Sequence, residues 1–174
     1  MKVAFVDDPA LAGPLRDIVN AAYDKGEAGL WRPGHERVTA AAIARCIARG
    51  ELAAAYADSG AVGCVRVLPD ELGLLAVAPD AAGRGVGRAL IEFAEETARA
   101  CGTGVMRLEL LVPREGTHPA KLRLHERYAR LGYRVAGRTE FGTAYPEIAP
   151  RLAVPCDLVV YEKPLAGPGE LPAG

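Results

Sequence analysis

The sequence predicts a mixed α/β (α+β) domain: a central, mixed but mostly antiparallel sheet of about seven strands, flanked by about four helices. Three observations lead there. Two apolar runs of strand length, 51–57 and 61–67, are joined by the polar turn Asp58-Ser59-Gly60, the signature of a hairpin. A third run, 71–78, passes through a glycine-rich loop into a long amphipathic stretch and then into another strand-like run. Such a strand–helix–strand crossover is by the usual rule parallel and right-handed.

The elements follow in order. Residues 2–7 (KVAFVD) read as a first strand, and Pro9 to about Tyr23 as a helix with Leu11, Leu15, Ile18, Val19 and Ala22 on one side. Segment 24–38, rich in glycine and charge, breaks the pattern and reads as a loop. Thr39 is placed to cap a second helix over 40–49, which Gly50 ends. After the hairpin and the strand 71–78, residues 85–100 carry Val86, Leu90, Phe93, Ala94 and Thr97 at helical spacing, with Glu92, Glu95, Glu96 and Arg99 opposite and Gly102 as the stop. Residues 105–112 alternate as a strand, Pro119–Leu131 form a helix ended by Gly132, and 133–140 and 156–163 read as the last two strands. The connection between them, FGTAYPEIAPRLAVP, reads as a loop with Tyr145 and three prolines.

A chain of 174 residues fits one domain, taken as 1–166, with the tail 167–174 expected to be disordered. A net charge of -1 gives no support to a nucleic-acid or membrane-surface partner. The cysteines, Cys46, Cys64, Cys101 and Cys156, lie far apart with no C-x-x-C pair, which argues against zinc or a disulfide framework; no metal site is expected. They read as small buried hydrophobes of a reducing compartment. With no signal-like start and no apolar run near the ~20 residues of a membrane span, a cytoplasmic location is the expectation.

The loop VAPDAAGRGVGRAL spaces Gly83, Gly85 and Gly87 at alternate positions. A dinucleotide fingerprint G-x-G-x-x-G/A fails in both registers, since its last position would be Arg88 or Leu90, and no Gly-Lys-Ser/Thr phosphate loop occurs. What survives is the physics common to both. Backbone N–H groups at a helix N-terminus, bare of side chains, form a concave site for phosphate or pyrophosphate. A tight turn with no ligand is the competing reading.

A strand, Val-x-Pro and then R-G-V-G-R-A-L resembles the acetyl-CoA-binding motif Q/R-x-x-G-x-G/A of the GCN5-related N-acetyltransferases, the GNAT family. The motif maps onto Ala82-Gly83-Arg84-Gly85-Val86-Gly87, with Ala82 departing from its first position. A second match, Tyr128-Ala-Arg-Leu-Gly-Tyr133, resembles the family's Y-x-x-L-G-F/Y, and the likeness covers roughly residues 50–140. The resemblance implies the GNAT fold and acetyl-CoA as acyl donor, held by the amides from Gly83 to Ala89 with Arg84 and Arg88 adding charge.

It also implies chemistry. An alkyl ammonium of pKa ~10.4 must lose its proton before it attacks, which at pH 7 costs roughly 4–5 kcal/mol. In the family this role falls to a glutamate on the fourth strand; Glu71 is the acid available here, with 71, 73, 75 and 77 read as one face. A solvated strand edge is its competing reading. By resemblance the Leu75 N–H polarises the thioester carbonyl and the Val77 N–H holds the pantetheine arm, which requires a bulge, with Gly73 as a permissive residue nearby. Tyr128 corresponds to the acid that protonates the leaving thiolate, against a reading as core aromatic; Tyr133 packs.

Trp31, Arg37 and Tyr145 lie in the two loops that in this family close over the acceptor. Trp31 reads equally as substrate wall or hydrophobic plug. His118 is an alternative base, and Lys121 and Arg123 are alternative phosphate contacts. The expected function is an acetyl-CoA-dependent N-acetyltransferase acting on a primary amine of a small molecule, with a homodimer as an open expectation. The alternatives are a non-catalytic acyl-CoA-binding module, an acyltransferase acting on a protein amine, and a nucleotide-binding protein that uses the loop alone.

Overall fold

A computed structural model describes residues 1–165. The expected tail, 167–174, lies outside the described residues. The elements run in the anticipated order, and the described chain divides into two compact units.

The first unit comprises Met1–Tyr23, Glu36–Met106 and the chain from Pro164. Its four strands, β1 (Lys2–Phe5), β2 (Leu52–Ala57), β3 (Gly60–Val67) and β4 (Leu72–Val77), form an antiparallel sheet in that order. One face carries α1 (Ala12–Gly26) and α2 (Ala40–Ala48): Leu15, Val19, Ile43 and Ile47 pack with Leu52, Ala54, Cys64 and Ala76 in one buried cluster. The apolar stripe expected for the first helix, Leu11, Leu15, Ile18, Val19 and Ala22, is the stripe that joins this cluster. That helix starts with a 3-10 turn, Pro9–Leu11, capped by Asp8 Oδ1 accepting from the Ala10 amide at 2.8 Å. Thr39 caps α2 as expected, its hydroxyl accepting from the Ala42 amide at 3.1 Å.

α3 (Val86–Ala100) packs against β2, β3 and β4. Its seat is Gly63 on β3. A Cβ there would stand 2.8 Å from the Ala76 carbonyl oxygen, 3.0 Å from Val86 Cγ1 and 3.2 Å from Leu90 Cδ1. Only a residue without a side chain lets the first turn of α3 sit this close to the sheet.

The second unit comprises Asp24–His35 and Arg107–Lys163. β5 (Val105–Pro113), β6 (Arg134–Glu140) and β7 (Cys156–Pro164) form a sheet of order β5-β7-β6, with β6 antiparallel to β7. α4 (Pro119–Arg130) connects β5 to β6. The connection after β6, expected as a loop, begins with a short helix, α5 (Phe141–Ala144), and later makes a 3-10 turn at Ala149–Arg151. Phe141 is the reason: it is buried with Leu30, Leu111, Cys156 and Leu158, with Trp31, Tyr145 and Leu152 packed around them.

The seven strands therefore hydrogen-bond as two sheets, where the sequence reading drew one with a parallel crossover pair; β4 ends the first sheet and β5 is an end strand of the second. A bulge in β4 breaks the even spacing of N–H and C=O groups that a second ladder on that strand needs. Among the described residues no helix is long and apolar enough to cross a membrane. Of the cysteines, Cys64 and Cys156 are buried and Cys46 is half-buried, whereas Cys101 is exposed, because it is the C-cap residue at the open end of α3.

Candidate active site

The first unit brings three parts of the expected site into one stretch of chain. Ala78 leads into a 3-10 turn, Pro79–Ala81, and Ala82 is extended. Gly83 and Gly85 then take left-handed backbone, φ +79° and +80°, which L-residues adopt only at a cost. Gly85 is the N-cap of α3, with no side chain to cap it. The Ala89 amide already donates to the Gly85 carbonyl at 3.0 Å, so it is spent inside the helix. The first-turn amides of Val86, Gly87 and Arg88 precede that bond and are the orphan donors of a helix start. No heavy atom lies within 4 Å of where a Cβ would stand on Gly83 or Gly85, so the cradle is open as well as positively polarised. Arg84 and Arg88 are exposed; Arg88 Nε donates to Glu92 Oε1 at 2.7 Å, and this bond raises the guanidinium pKa.

Immediately upstream lies the irregularity. Leu72 pairs with Val67 and Gly73 with Arg66, but the next registered pairs are Ala76 with Cys64 and Val77 with Gly63. Leu74 and Leu75 therefore share one position opposite β3, a bulge where the resemblance required one. The left-handed residue is Leu74, φ +48°, and not the permissive Gly73 beside it. The extra residue also corrects the face assignment. Gly73 lies opposite Arg66 and Val77 opposite Gly63, positions of opposite parity on β3, so 71 and 73 do not share a face with 77.

Glu71 is half-buried at the entry to β4, and its carbonyl accepts from the Leu68 amide at 2.8 Å in the turn from β3. In the same unit, the Arg37 guanidinium lies over the Tyr23 ring at 4.6 Å.

The second unit holds the remaining residues. Tyr128 is buried on α4 in an aromatic cluster, its ring centroid 6.1 Å from Tyr133 and 5.6 Å from Tyr161. Tyr161 in turn meets His125 Nδ1 through its hydroxyl at 2.8 Å, and burial raises its pKa. Tyr133 is fully buried, as a packing residue should be.

Trp31 is tied down on several sides. Its Nε1–H donates to Glu27 Oε2 at 2.6 Å, one ring face stacks on His35 at 3.9 Å, and its edge meets Phe141 at 5.6 Å. Tyr145 packs on the same Phe141 at 5.3 Å, and its hydroxyl donates to Glu109 Oε2 at 3.0 Å. Trp31 and Tyr145, from two loops distant in sequence, thus flank one buried ring.

Lys121, expected as a phosphate contact, is instead buried against Glu27, Nζ to Oε1 2.9 Å. A buried ammonium is stable only beside an opposite charge, and Glu27 supplies it. Arg123 is exposed on α4. His118 stands at the N-cap position of α4 without capping it; its Nε2 lies 3.0 Å from the Ala28 carbonyl oxygen. A carbonyl only accepts, so Nε2 is the donor in this contact, and the buried Nδ1 has no hydrogen-bond partner.

Sequence reasoning missed Leu74 and the Glu27–Lys121 pair. The run ELGLLAV does fail to alternate, which is a weak signal of a bulge, but leucine is the wrong residue type to announce positive φ. Nothing in the spacing of Glu27 and Lys121 announces their meeting.

Comparisons with known proteins identify the family and the fold. Residues 48–135, just over half of the chain, match the family model described as an acetyltransferase (GNAT) domain. A search of curated proteins returned no match. Among solved structures, the fold is similar to an aminoglycoside 6'-N-acetyltransferase complexed with coenzyme A, with TM-score 0.72 and 16% identity over 98% of this chain and 100% of that one. It is also similar to YncA of Salmonella typhimurium, solved with its cofactor acetyl-CoA (TM-score 0.66, 20% identity, 100% and 99% covered). A third similar fold is the ribosomal-protein-alanine N-acetyltransferase of Brucella melitensis (TM-score 0.65, 20% identity, 95% and 100% covered). With the glycine cradle, the strand bulge and the matched domain in agreement, the chain belongs to the GNAT acetyltransferase family.

Proposed function

We propose that this protein is an acetyl-CoA-dependent N-acetyltransferase that acts on a primary amine of a small molecule by direct attack on the thioester. The observation that carries the reading is the continuity of residues 74–88. A bulge at Leu74–Leu75 is followed within one short loop by a helix start with unfilled donors and no side chains over it.

In this reading the N–H groups of Val86, Gly87 and Arg88, with the bare backbone of Gly83 and Gly85 and the charge of Arg84, hold the pyrophosphate of acetyl-CoA. The Val77 N–H takes the pantetheine arm. The Leu75 N–H faces the thioester oxygen, where negative charge grows as the amine attacks. Glu71 takes the ammonium proton, directly or through water. The new C–N bond forms as the C–S bond breaks, and Tyr128 gives its hydroxyl proton to the departing thiolate. Trp31, Arg37 and Tyr145 shape acceptor recognition, Trp31 and Tyr145 through the shared Phe141.

Two of the similar folds are named for an aminoglycoside and for a ribosomal-protein alanine, so the acceptor panel includes peptides with free N-termini beside small amines. Calorimetry with acetyl-CoA, CoA and ATP comes first: ATP binding without CoA binding would end this reading. Amine-dependent CoA release should then fall by roughly 10²–10⁴-fold in Glu71→Gln and in Tyr128→Phe. Unchanged rates remove those two assignments. Release with peptides alone moves the acceptor to a protein amine, and no release with any amine leaves a binding module. Sedimentation reads whether the chain forms a homodimer.

A further inference from the structure

Leu74 is the one non-glycine among the described residues with a left-handed backbone. Leucine has no polar side-chain atom to stabilise that conformation locally, so its surroundings must hold it. The group placed to do so is Cys64. Its Sγ lies 3.9 Å from the Leu74 carbonyl oxygen, within reach of an S–H···O bond. Cys64 pairs with Ala76, the first regular residue after the bulge, and the register shift begins at Cys64 on β3. It is fully buried, and the Leu74 side chain packs against the core cluster of which Cys64 is part. Burial pushes the thiol up to about 12, so sulfur keeps its proton and remains a donor through the neutral range.

The Leu74 carbonyl and the Leu75 N–H belong to one planar trans peptide, in which the two groups point in opposite directions. Fixing the oxygen toward Cys64 therefore aims the N–H away from it. We propose that Cys64 is a positioning residue for acetyl transfer: its thiol holds the Leu74–Leu75 peptide plane so that the Leu75 N–H is presented to the thioester oxygen. This rests on the reading that Leu75 polarises the thioester. Cys64 touches no substrate, and its effect reaches the reaction through the orientation of one amide.

The test uses the whole chain and four variants. Cys64→Ala and Cys64→Val lack the donor, Cys64→Ser carries a donor too short to span the 3.9 Å that sulfur covers, and Cys46→Ala loosens the same core without touching the Leu74 carbonyl. In the ligand-free protein, the Leu75 amide resonance and its hydrogen exchange should change in the Ala and Val variants. They should change in Cys64→Ser as well and stay close to wild type in Cys46→Ala. With acetyl-CoA labelled with ¹³C at the thioester carbonyl, the bound carbonyl shift should move toward its free value only where the bond to the Leu74 carbonyl is lost, with little change in Kd. For an amine that the wild type acetylates, kcat should fall roughly tenfold with KM for acetyl-CoA nearly constant, a fraction of the ~10²–10³ lost with an oxyanion donor outright. A role in packing alone predicts that Cys46→Ala resembles Cys64→Ala; that result overturns the proposal, as does an unmoved Leu75 amide in Cys64→Ala and Cys64→Val. If acetyl-CoA fails to bind the wild type, the proposed function falls with the assignment to transfer, while the ligand-free spectra still decide whether Cys64 holds the peptide.

Discussion

Lys121 Nζ donates to Glu27 Oε1 across 2.9 Å, with the two side chains only 6% and 4% exposed. The same carboxylate accepts from Trp31 Nε1, so the loop after α1 is fastened to α4 through one buried charge. Removing one partner of such a pair strands the other without water. Lys121→Met should lower stability by about 3–5 kcal/mol in urea unfolding. Adding Glu27→Gln, which removes the stranded charge and keeps an acceptor for Trp31, should recover much of that loss.

The closeness of α3 to the sheet makes a sharp comparison between two glycines of one unit. Gly63→Ala drives a methyl to 2.8 Å from a backbone oxygen, which cannot rotate away, and should cost about 1–3 kcal/mol. Gly73→Ala, with nothing within 4 Å of its Cβ position, should leave the thermal midpoint almost unmoved. Because Gly63 seats Val86, the first variant should also weaken acetyl-CoA binding in calorimetry.

At Gly85 the constraint is the backbone itself. Alanine at φ +80° is disfavoured by about 1–2 kcal/mol, and the chain can relieve this only by rebuilding the start of α3. Gly85→Ala should therefore weaken acetyl-CoA binding by roughly tenfold, about 1.4 kcal/mol, while the far-UV circular dichroism stays that of the wild type.

Asp157 governs an acid-sensitive contribution in the second unit. Burial alone would raise its carboxyl pKa, but hydrogen bonds from Arg138 at 2.7 Å and Arg114 at 3.0 Å outweigh burial and hold it below 3.8. A folded pKa below the unfolded one stabilises the native state at pH above about 3.8, and that stabilisation drains away as pH falls through the lower folded value. Asp157→Asn should be less stable than wild type at neutral pH. The gap should close below about pH 3.8, as read from urea midpoints across a pH series.

How much of this was legible in the sequence follows from the range of the forces involved. The apolar stripe of α1, the Thr39 cap and the glycine stops are local, governed by spacing within one turn, and stand where the residue pattern puts them. The glycine cradle is local too, since positive φ at Gly83 and Gly85 is a property of the residue type. The bulge was legible only as a requirement of the resemblance, and its cost fell on Leu74, a residue that gives no sign of it. Lys121 was misread because its partner Glu27 lies 94 residues away, a distance no periodicity spans. The face of β4 was misread for a related reason: one inserted residue reverses every side chain beyond it.

The strand β6 has a consequence for life at high concentration. It is the outer strand of its sheet and exposed along nearly its whole length, Val135 at 54% included. Such a strand would ordinarily invite another molecule to continue the sheet. Here an incoming backbone meets a register shift between Val135 and Gly137 and the charges of Arg134, Arg138 and Glu140. A ladder between two copies would have to pass through that irregularity, where the strand bends and the spacing of its N–H and C=O groups is uneven. A bulge and a row of charges are the features by which an exposed edge strand discourages such pairing, and β6 carries both.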